Sequence, residues 1–137
     1  MVTAAPARHG PVGIEPVAGD VIGFLIGTEA PGDAVYVTGD TVWFEGVAEV
    51  ARRYAPRLVV LFAGAARARG PFRLTMDSNE AVEVAHAFPA ATLVAVHVDG
   101  WAHLTESRWD LSKAFSILGI GSRLIEPTPG QPLSIRI

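Results

Sequence analysis

The chain contains no cysteine and no long hydrophobic segment. Without cysteine among its 137 residues it has neither a disulfide framework nor thiolate chemistry, which is typical of a protein from a reducing compartment. No apolar run approaches the roughly 18 residues of a membrane-spanning helix, and residues 1–10 have no apolar segment of signal-peptide length. We therefore expect a cytoplasmic protein with no membrane partner.

Charged residues are also scarce. They make up 18% of the sequence and the net charge is −3, so no basic stripe is available to bind a phosphate backbone. We expect no nucleic-acid partner. Hydrophobic residues, in contrast, make up 50% of the chain, which is enough to build a core in one domain spanning residues 1–137.

The hydrophobic pattern alternates between the period of strands and the period of helices. This alternation predicts a mixed sheet covered by helices. The segment Pro31-Gly32-Asp33 predicts a turn that joins the first two strands in a hairpin. Buried strands are predicted at residues 21–27, 34–38, 58–63 and 92–98.

Three amphipathic helices are predicted between and after these strands. Asp77 and Glu80 form a capping-box pattern before the second helix, and Thr105 is the expected N-cap of the third. The predicted stop signals are Pro56, Pro89, and Gly119 or Gly121.

Three polar residues lie where chemistry is expected. Asp40 and His97 follow predicted strands. His9 lies in a Gly/Pro-rich loop whose hydrophobic residues show neither the helix period nor the strand period. Two imidazoles and a carboxylate are ligand types of a zinc or other transition-metal site. No two of them are close in sequence, so the spacing alone does not indicate a site. An aspartate after a strand is more often a helix N-cap or a turn former than a ligand, and His97 could be a buried histidine bonded to backbone. His103 is near enough to His97 for both to face one cleft.

Five stretches, taken in order, resemble a known family: "PARHG", "VYVTGDTVW", "LVVLFAGAA", "LTMDSNEAVE" and "TLVAVHVDGWAHLTE". Together they resemble the C-terminal half of a metallo-β-lactamase-fold hydrolase related to the L-ascorbate-6-phosphate lactonases. The resemblance covers nearly the whole chain. It implies an α/β (α+β) fold, half of an αββα sandwich, with a mixed sheet covered by about three helices. It also implies zinc or another divalent transition metal as cofactor.

The resemblance assigns roles to individual residues. By it, His9 corresponds to a ligand of the first metal, Asp40 to the carboxylate that bridges both metals, and His97 to a ligand of the second. The resemblance identifies no catalytic residue; His103 is a candidate, and we expect it to line a pocket near the metals with Trp43 and Trp101. The family's HxHxDH motif, which supplies the remaining ligands, is absent from this sequence. The resemblance therefore implies an incomplete site.

The same resemblance predicts an open apolar sheet face. In the family each half packs its sheet against the other half, so this half alone would expose that face. A patch of domain width exceeds what soluble monomers usually tolerate. We expect the face to be covered by a second copy in a homodimer, or by a partner chain that carries HxHxDH.

Three functions are compatible with the sequence. The first is a truncated or split hydrolase, in which metal-activated water attacks an ester, lactone or phosphodiester-type bond once another chain supplies the missing ligands. The second is a non-catalytic dimeric scaffold or small-molecule-binding half-domain. The third, independent of the resemblance, is a phosphotransfer domain with Asp40 as acceptor. Val42 argues against it, because the haloacid-dehalogenase pattern requires an aspartate at that position.

Overall fold

The computed structural model describes residues 1–67 and 70–137. The strands are β1 Val2–Pro6, β2 Ile22–Ile26, β3 Val35–Val37, β4 Leu58–Phe62, β5 Thr92–Val96 and β6 Leu124–Ile125. The helices are α1 Glu15–Ala18, α2 Glu45–Arg53, α3 Ser78–Ala87 and α4 Arg108–Ile117. None of these helices is long and apolar enough to cross a membrane.

The six strands form one sheet in chain order. The pairs β1–β2 and β2–β3 are antiparallel, whereas the pairs β3–β4, β4–β5 and β5–β6 are parallel. The predicted mixed sheet and the β2–β3 hairpin are therefore confirmed. In the hairpin loop, the Asp33 carboxylate accepts hydrogen bonds from the backbone N–H groups of Thr28, Glu29 and Ala30. These bonds, the one from Thr28 most of all, lower the pKa of Asp33 to about 2.

The core lies on one face of the sheet, beneath α2, α3 and α4. Successive side chains of a strand point to opposite faces, so alternate residues of each strand meet the helices. The short helix α1, which the sequence pattern did not predict, buries no residue. Core side chains from the strands and helices include Leu25, Tyr36, Val59, Leu61, Leu93, Val47, Val50, Val84 and Phe115.

The opposite face of the sheet is apolar and exposed. Ile22, Phe24 and Ile26 are 53%, 43% and 38% exposed, although they lie in a strand and carry large side chains. The strand register continues this surface across β3 and β4, where the side chains are half-buried. We call this surface the open face; its residues are Val2, Ile22, Phe24, Ile26, Val35, Val37, Leu58, Val60, Phe62 and Val96. The expected apolar face is therefore present, and its partner stays a prediction.

Two strands were not predicted from the sequence. Strand β1 pairs along its whole length with β2, from Val2 opposite Ile26 to Pro6 opposite Ile22. Strand β6 has only two residues and pairs with β5. Alanine and proline are poor strand formers, so the pairing, and not the local sequence of β1, determines its conformation.

The predicted N-cap of α4 was wrong. Ser107 caps this helix: its hydroxyl oxygen accepts from the backbone N–H of Asp110, and the Asp110 carboxylate accepts from the N–H of Ser107. Thr105 instead donates its hydroxyl to the carbonyl oxygen of Ala65 at 2.7 Å. A tertiary contact therefore uses the group that the sequence pattern assigned to the cap.

The predicted cap of α3 is half right. Asp77 accepts from the N–H of Glu80 at 2.8 Å, as a capping residue does. The Glu80 carboxylate, however, does not return to the backbone of Asp77. It accepts from the N–H of Trp43 and from the guanidinium of Arg73, so it connects α3 to two loops.

Replacing Ser107 with alanine should lower the free energy of unfolding by about 1 kcal/mol, because the first turn of α4 then loses its capping acceptor. Ser116→Ala is the matched control, since Ser116 is an exposed serine of the same helix. Urea denaturation measures both variants. Equal free energies of unfolding for Ser107→Ala and Ser116→Ala would contradict the assignment of Ser107 as the cap.

Candidate functional site

A cleft of about 490 Å³ opens where β3, β4 and β5 end. It is lined by the three predicted metal ligands and by His103, although these come from four separate segments of the chain. The carboxyl ends of neighbouring parallel strands meet at one edge of a sheet, which is why the fold collects them here. We call this the histidine cleft; its lining residues are His9, Asp40, Ala66, Leu74, His97, Trp101 and His103.

Asp40 and His97 meet inside this cleft. The Oδ1 atom of Asp40 lies 3.2 Å from Nδ1 of His97. Neither atom is accessible to solvent, and neither has a hydrogen-bond partner within residues 1–67 and 70–137. The separation permits an ion pair when His97 is protonated, but the angles do not satisfy a hydrogen bond. Two such polar atoms facing each other are unusual in folded proteins and occur where strain, catalysis, or a bound water or ion accounts for them.

The backbone of His97 is strained. Its φ angle is 52°, in the left-handed region that costs non-glycine residues roughly 1–2 kcal/mol. Ala65, with φ of 50°, is strained in the same way next to another residue of the cleft, Ala66. Such strain concentrates at functional sites, because a particular side chain is needed in a particular place.

Asp40 is held in place by the residues around it. Thr38 and Thr41, both fully buried, flank the Gly39-Asp40 pair. Thr41 accepts from the backbone N–H of Arg8 at 2.9 Å, which ties the Asp40 loop to the neighbour of His9. Gly39 has a φ of 66°, and a Cβ at this position would approach the carbonyl oxygen of Ile22 to 2.8 Å. The "TGDT" stretch therefore fixes the backbone that carries Asp40, a role that the sequence analysis did not assign to the two threonines.

His9 lies on the wall of the cleft. Its Nδ1 atom is 3.1 Å from the carbonyl oxygen of Leu74. With the proton on Nδ1, this hydrogen bond leaves Nε2 as the atom that can bind a ligand. Within the described part of the chain, no group of three or more His, Asp or Glu side chains is arranged to hold a metal ion. Asp40 and His97 thus form a pair of potential ligands, and metal binding by His9, Asp40 and His97 stays a prediction.

His103 and Trp101 form the outer side of the cleft. The ring centroid of His103 is 6.2 Å from that of His97 and 5.9 Å from that of Trp101. The His103 carbonyl accepts from the N–H of Arg67 at 2.8 Å, which fixes this loop against the end of β4. Trp43, which the sequence analysis placed in a pocket near the metals, does not line this cleft but a neighbouring one.

Sequence relatives identify the family. Residues 1–98 match the sequence model of the beta-lactamase superfamily domain. The UPF0173 protein YddR of Bacillus subtilis is 30% identical over 114 residues, which are 82% of this chain and 44% of YddR. The chain therefore spans less than half the length of this curated relative.

Solved structures share the fold. An isothiocyanate hydrolase from Delia radicum gut bacteria superposes with a TM-score of 0.85 at 23% identity, over 99% of this chain and 55% of its own. A "possible metal-dependent hydrolase" from Veillonella parvula also gives 0.85, at 27% identity, over 95% of this chain and 52% of its own. Igni18, a metallo hydrolase from Ignicoccus hospitalis, gives 0.74 at 18% identity, over 99% of this chain and 53% of its own.

These comparisons agree with one another and with the predicted resemblance. The family model matches the greater part of the chain, and the described fold superposes on about half of each hydrolase structure. The chain belongs to the beta-lactamase superfamily and has the fold of its metal-dependent hydrolases.

Proposed function

We propose that Asp40, His97 and His9 contribute to the divalent-metal centre of a hydrolase, with zinc or another transition metal as the ion. The unpaired contact between Asp40 and His97 is the main support. Two ligand atoms of one tetrahedral zinc ion, each about 2.0 to 2.1 Å from the metal, lie roughly 3.3 Å apart. The observed 3.2 Å between Oδ1 and Nδ1 fits such a pair.

The proposed reaction is hydrolysis of an ester, lactone or phosphodiester-type bond. A bound divalent metal ion would lower the pKa of a water molecule and so provide a nucleophile at neutral pH. Asp40 would bring its negative charge to that point, and the packing of Phe62 and His103 would orient the ring of His97. His103, on the outer side of the cleft, is the group that we propose donates a proton to the leaving group.

The ligand set of this chain is partial, so a second polypeptide segment must complete it for the reaction to occur. We propose that this segment carries HxHxDH and packs on the open face. Two observations support it: the open face exposes Ile22, Phe24 and Ile26, and the relatives are about twice as long as this chain. One partner would then both cover the apolar surface and add ligands.

A second candidate is a homodimeric, non-catalytic scaffold or small-molecule-binding half-domain. It is favoured by the same apolar face, because a two-fold dimer buries one self-complementary surface without any other chain. The absence of a three-ligand group among the described residues is compatible with it. Metal binding and mass in solution distinguish the two candidates.

The purified chain should bind zinc through the Asp40–His97 pair. Replacing His97 or Asp40 with alanine should weaken zinc binding at least about tenfold, since either change removes one of few ligands. His86→Ala is the matched control, because His86 is exposed on α3, outside the cleft. Isothermal titration calorimetry measures the affinities. Equal zinc affinity for His97→Ala and His86→Ala would place the metal elsewhere.

In the presence of a chelator, Asp40→Asn should raise the free energy of unfolding by about 1 kcal/mol. The change replaces a charged carboxylate, one oxygen of which is buried without a hydrogen-bond partner among the described residues, by a neutral amide that costs less to bury. Asp20→Asn makes the same change of charge at an exposed position and is the control. If Asp40→Asn is less stable than the native protein in thermal or urea unfolding, the pair is a structural ion pair and the metal proposal loses its main support.

Without a partner chain, the protein should self-associate through the open face. Sedimentation velocity should give a mass above that of one chain, and Phe24→Lys should shift it toward the monomer because a charge then lies in the centre of the apolar surface. Ile117→Lys, at an exposed position of α4, is the control. A monomeric native protein at all concentrations would refute association through this face.

A further inference from the structure

We propose that a second cleft, next to the histidine cleft, binds an oxyanion carried by the substrate, either a carboxylate or a phosphate. As a statement about the substrate, this proposal rests on the proposed function. The second cleft measures about 390 Å³ and is lined by both basic and aromatic side chains. We call it the arginine cleft; its characteristic residues are Arg8, Trp43, Arg67, Phe72, Arg73 and Glu80.

Two of its three guanidinium groups are available for a ligand. Arg73 is already engaged, because it pairs with the carboxylates of Asp77 and Glu80. Arg8 and Arg67 form no ion pair with any residue that the structure describes. Among the described residues, three guanidinium groups and the two carboxylates paired with Arg73 leave an excess of one positive charge here, in a chain whose net charge is −3.

Arg8 is preorganised for binding. Its Nε–H donates to the carbonyl oxygen of Gly10 at 3.1 Å, and its guanidinium carbon lies 4.6 Å from the centroid of the Phe44 ring. These two contacts use the Nε–H and one face of the guanidinium, while the terminal N–H groups have no protein acceptor among the described residues. Terminal guanidinium donors match the spacing of the oxygens in a carboxylate or a phosphate.

The two clefts are lined by adjacent residues of three shared segments. The backbone N–H of Leu74 donates to the carbonyl oxygen of Ala66 at 2.7 Å, which joins two of the shared segments. Because consecutive Cα atoms are about 3.8 Å apart, residues of one cleft lie within a single residue spacing of the other. One substrate can therefore place an anion in the arginine cleft and a reacting bond in the histidine cleft. The shared segments are Arg8-His9, Ala66-Arg67 and Arg73-Leu74.

The aromatic residues of the arginine cleft indicate which chemical group lies next to the anion in the substrate. Trp43 is half-buried and Phe72 is exposed, and both line the arginine cleft. Their rings offer apolar surface beside the two available guanidinium groups. The substrate class that fits is therefore an acidic molecule with an apolar or planar portion next to its carboxylate or phosphate.

The test is a titration of the full, metal-free chain with inorganic phosphate and, separately, with acetate. Two-dimensional NMR follows the indole N–H of Trp43. We expect a saturable shift with at least one of the two anions, and the tighter of them identifies the preferred oxyanion. Removal of one charged donor should weaken the apparent affinity about tenfold, so Arg67→Met, and Arg8→Met as a second variant, should both show that loss.

Arg53→Met is the control, because Arg53 lies on α2 against the ring of Tyr54 and its replacement changes the net charge equally. An affinity in Arg67→Met and Arg8→Met equal to that in Arg53→Met, or no saturable shift with either anion, would overturn the proposal. The experiment contains no metal, so its outcome is separate from that of zinc binding. Anion binding without zinc binding would refute only the proposed metal centre. Zinc binding without anion binding would refute only the oxyanion site.

Discussion

The unpaired contact between Asp40 Oδ1 and His97 Nδ1 is the feature on which the interpretation of this protein depends. Leaving a buried donor or acceptor unpaired costs on the order of 1 kcal/mol or more, and the left-handed backbone of His97 adds a similar amount. Domains of this kind have a total stability of only about 5–15 kcal/mol. Such penalties at one point, at the ends of three parallel strands, support the proposed ligand site.

The histidine cleft and the open face are built from the same strands. The parallel strands that bring Asp40 and His97 together also carry the apolar surface on the side of the sheet opposite the helices. The cleft has few potential ligands, and the face leaves Ile22, Phe24 and Ile26 exposed. A chain that spans about half of its relatives fits this pattern, which is why we propose that one partner satisfies both.

Local patterns predicted the buried strands well and the contacts between segments poorly. Strands β4 and β5 were predicted to within one or two residues, because continuous apolar runs are typical of strands covered on both faces. The N-cap at Ser107 was missed although Ser107 and Asp110 form a capping box, because Thr105 is also a good capping residue. At the site, strand ends indicated Asp40 and His97, but no pattern could indicate that their ligand atoms face each other. That geometry depends on pairing between strands far apart in sequence.

The most direct test of the account is the protonation and ligation state of the histidine rings, observed by nitrogen-15 NMR with and without zinc. Zinc should shift the Nδ1 resonance of His97 strongly and leave the ring of His86, on the exposed side of α3, unchanged. A spectrum in which His97 keeps its resonances at saturating zinc, or in which His86 shifts as much as His97, would contradict the claim that the Asp40–His97 pair is a metal site.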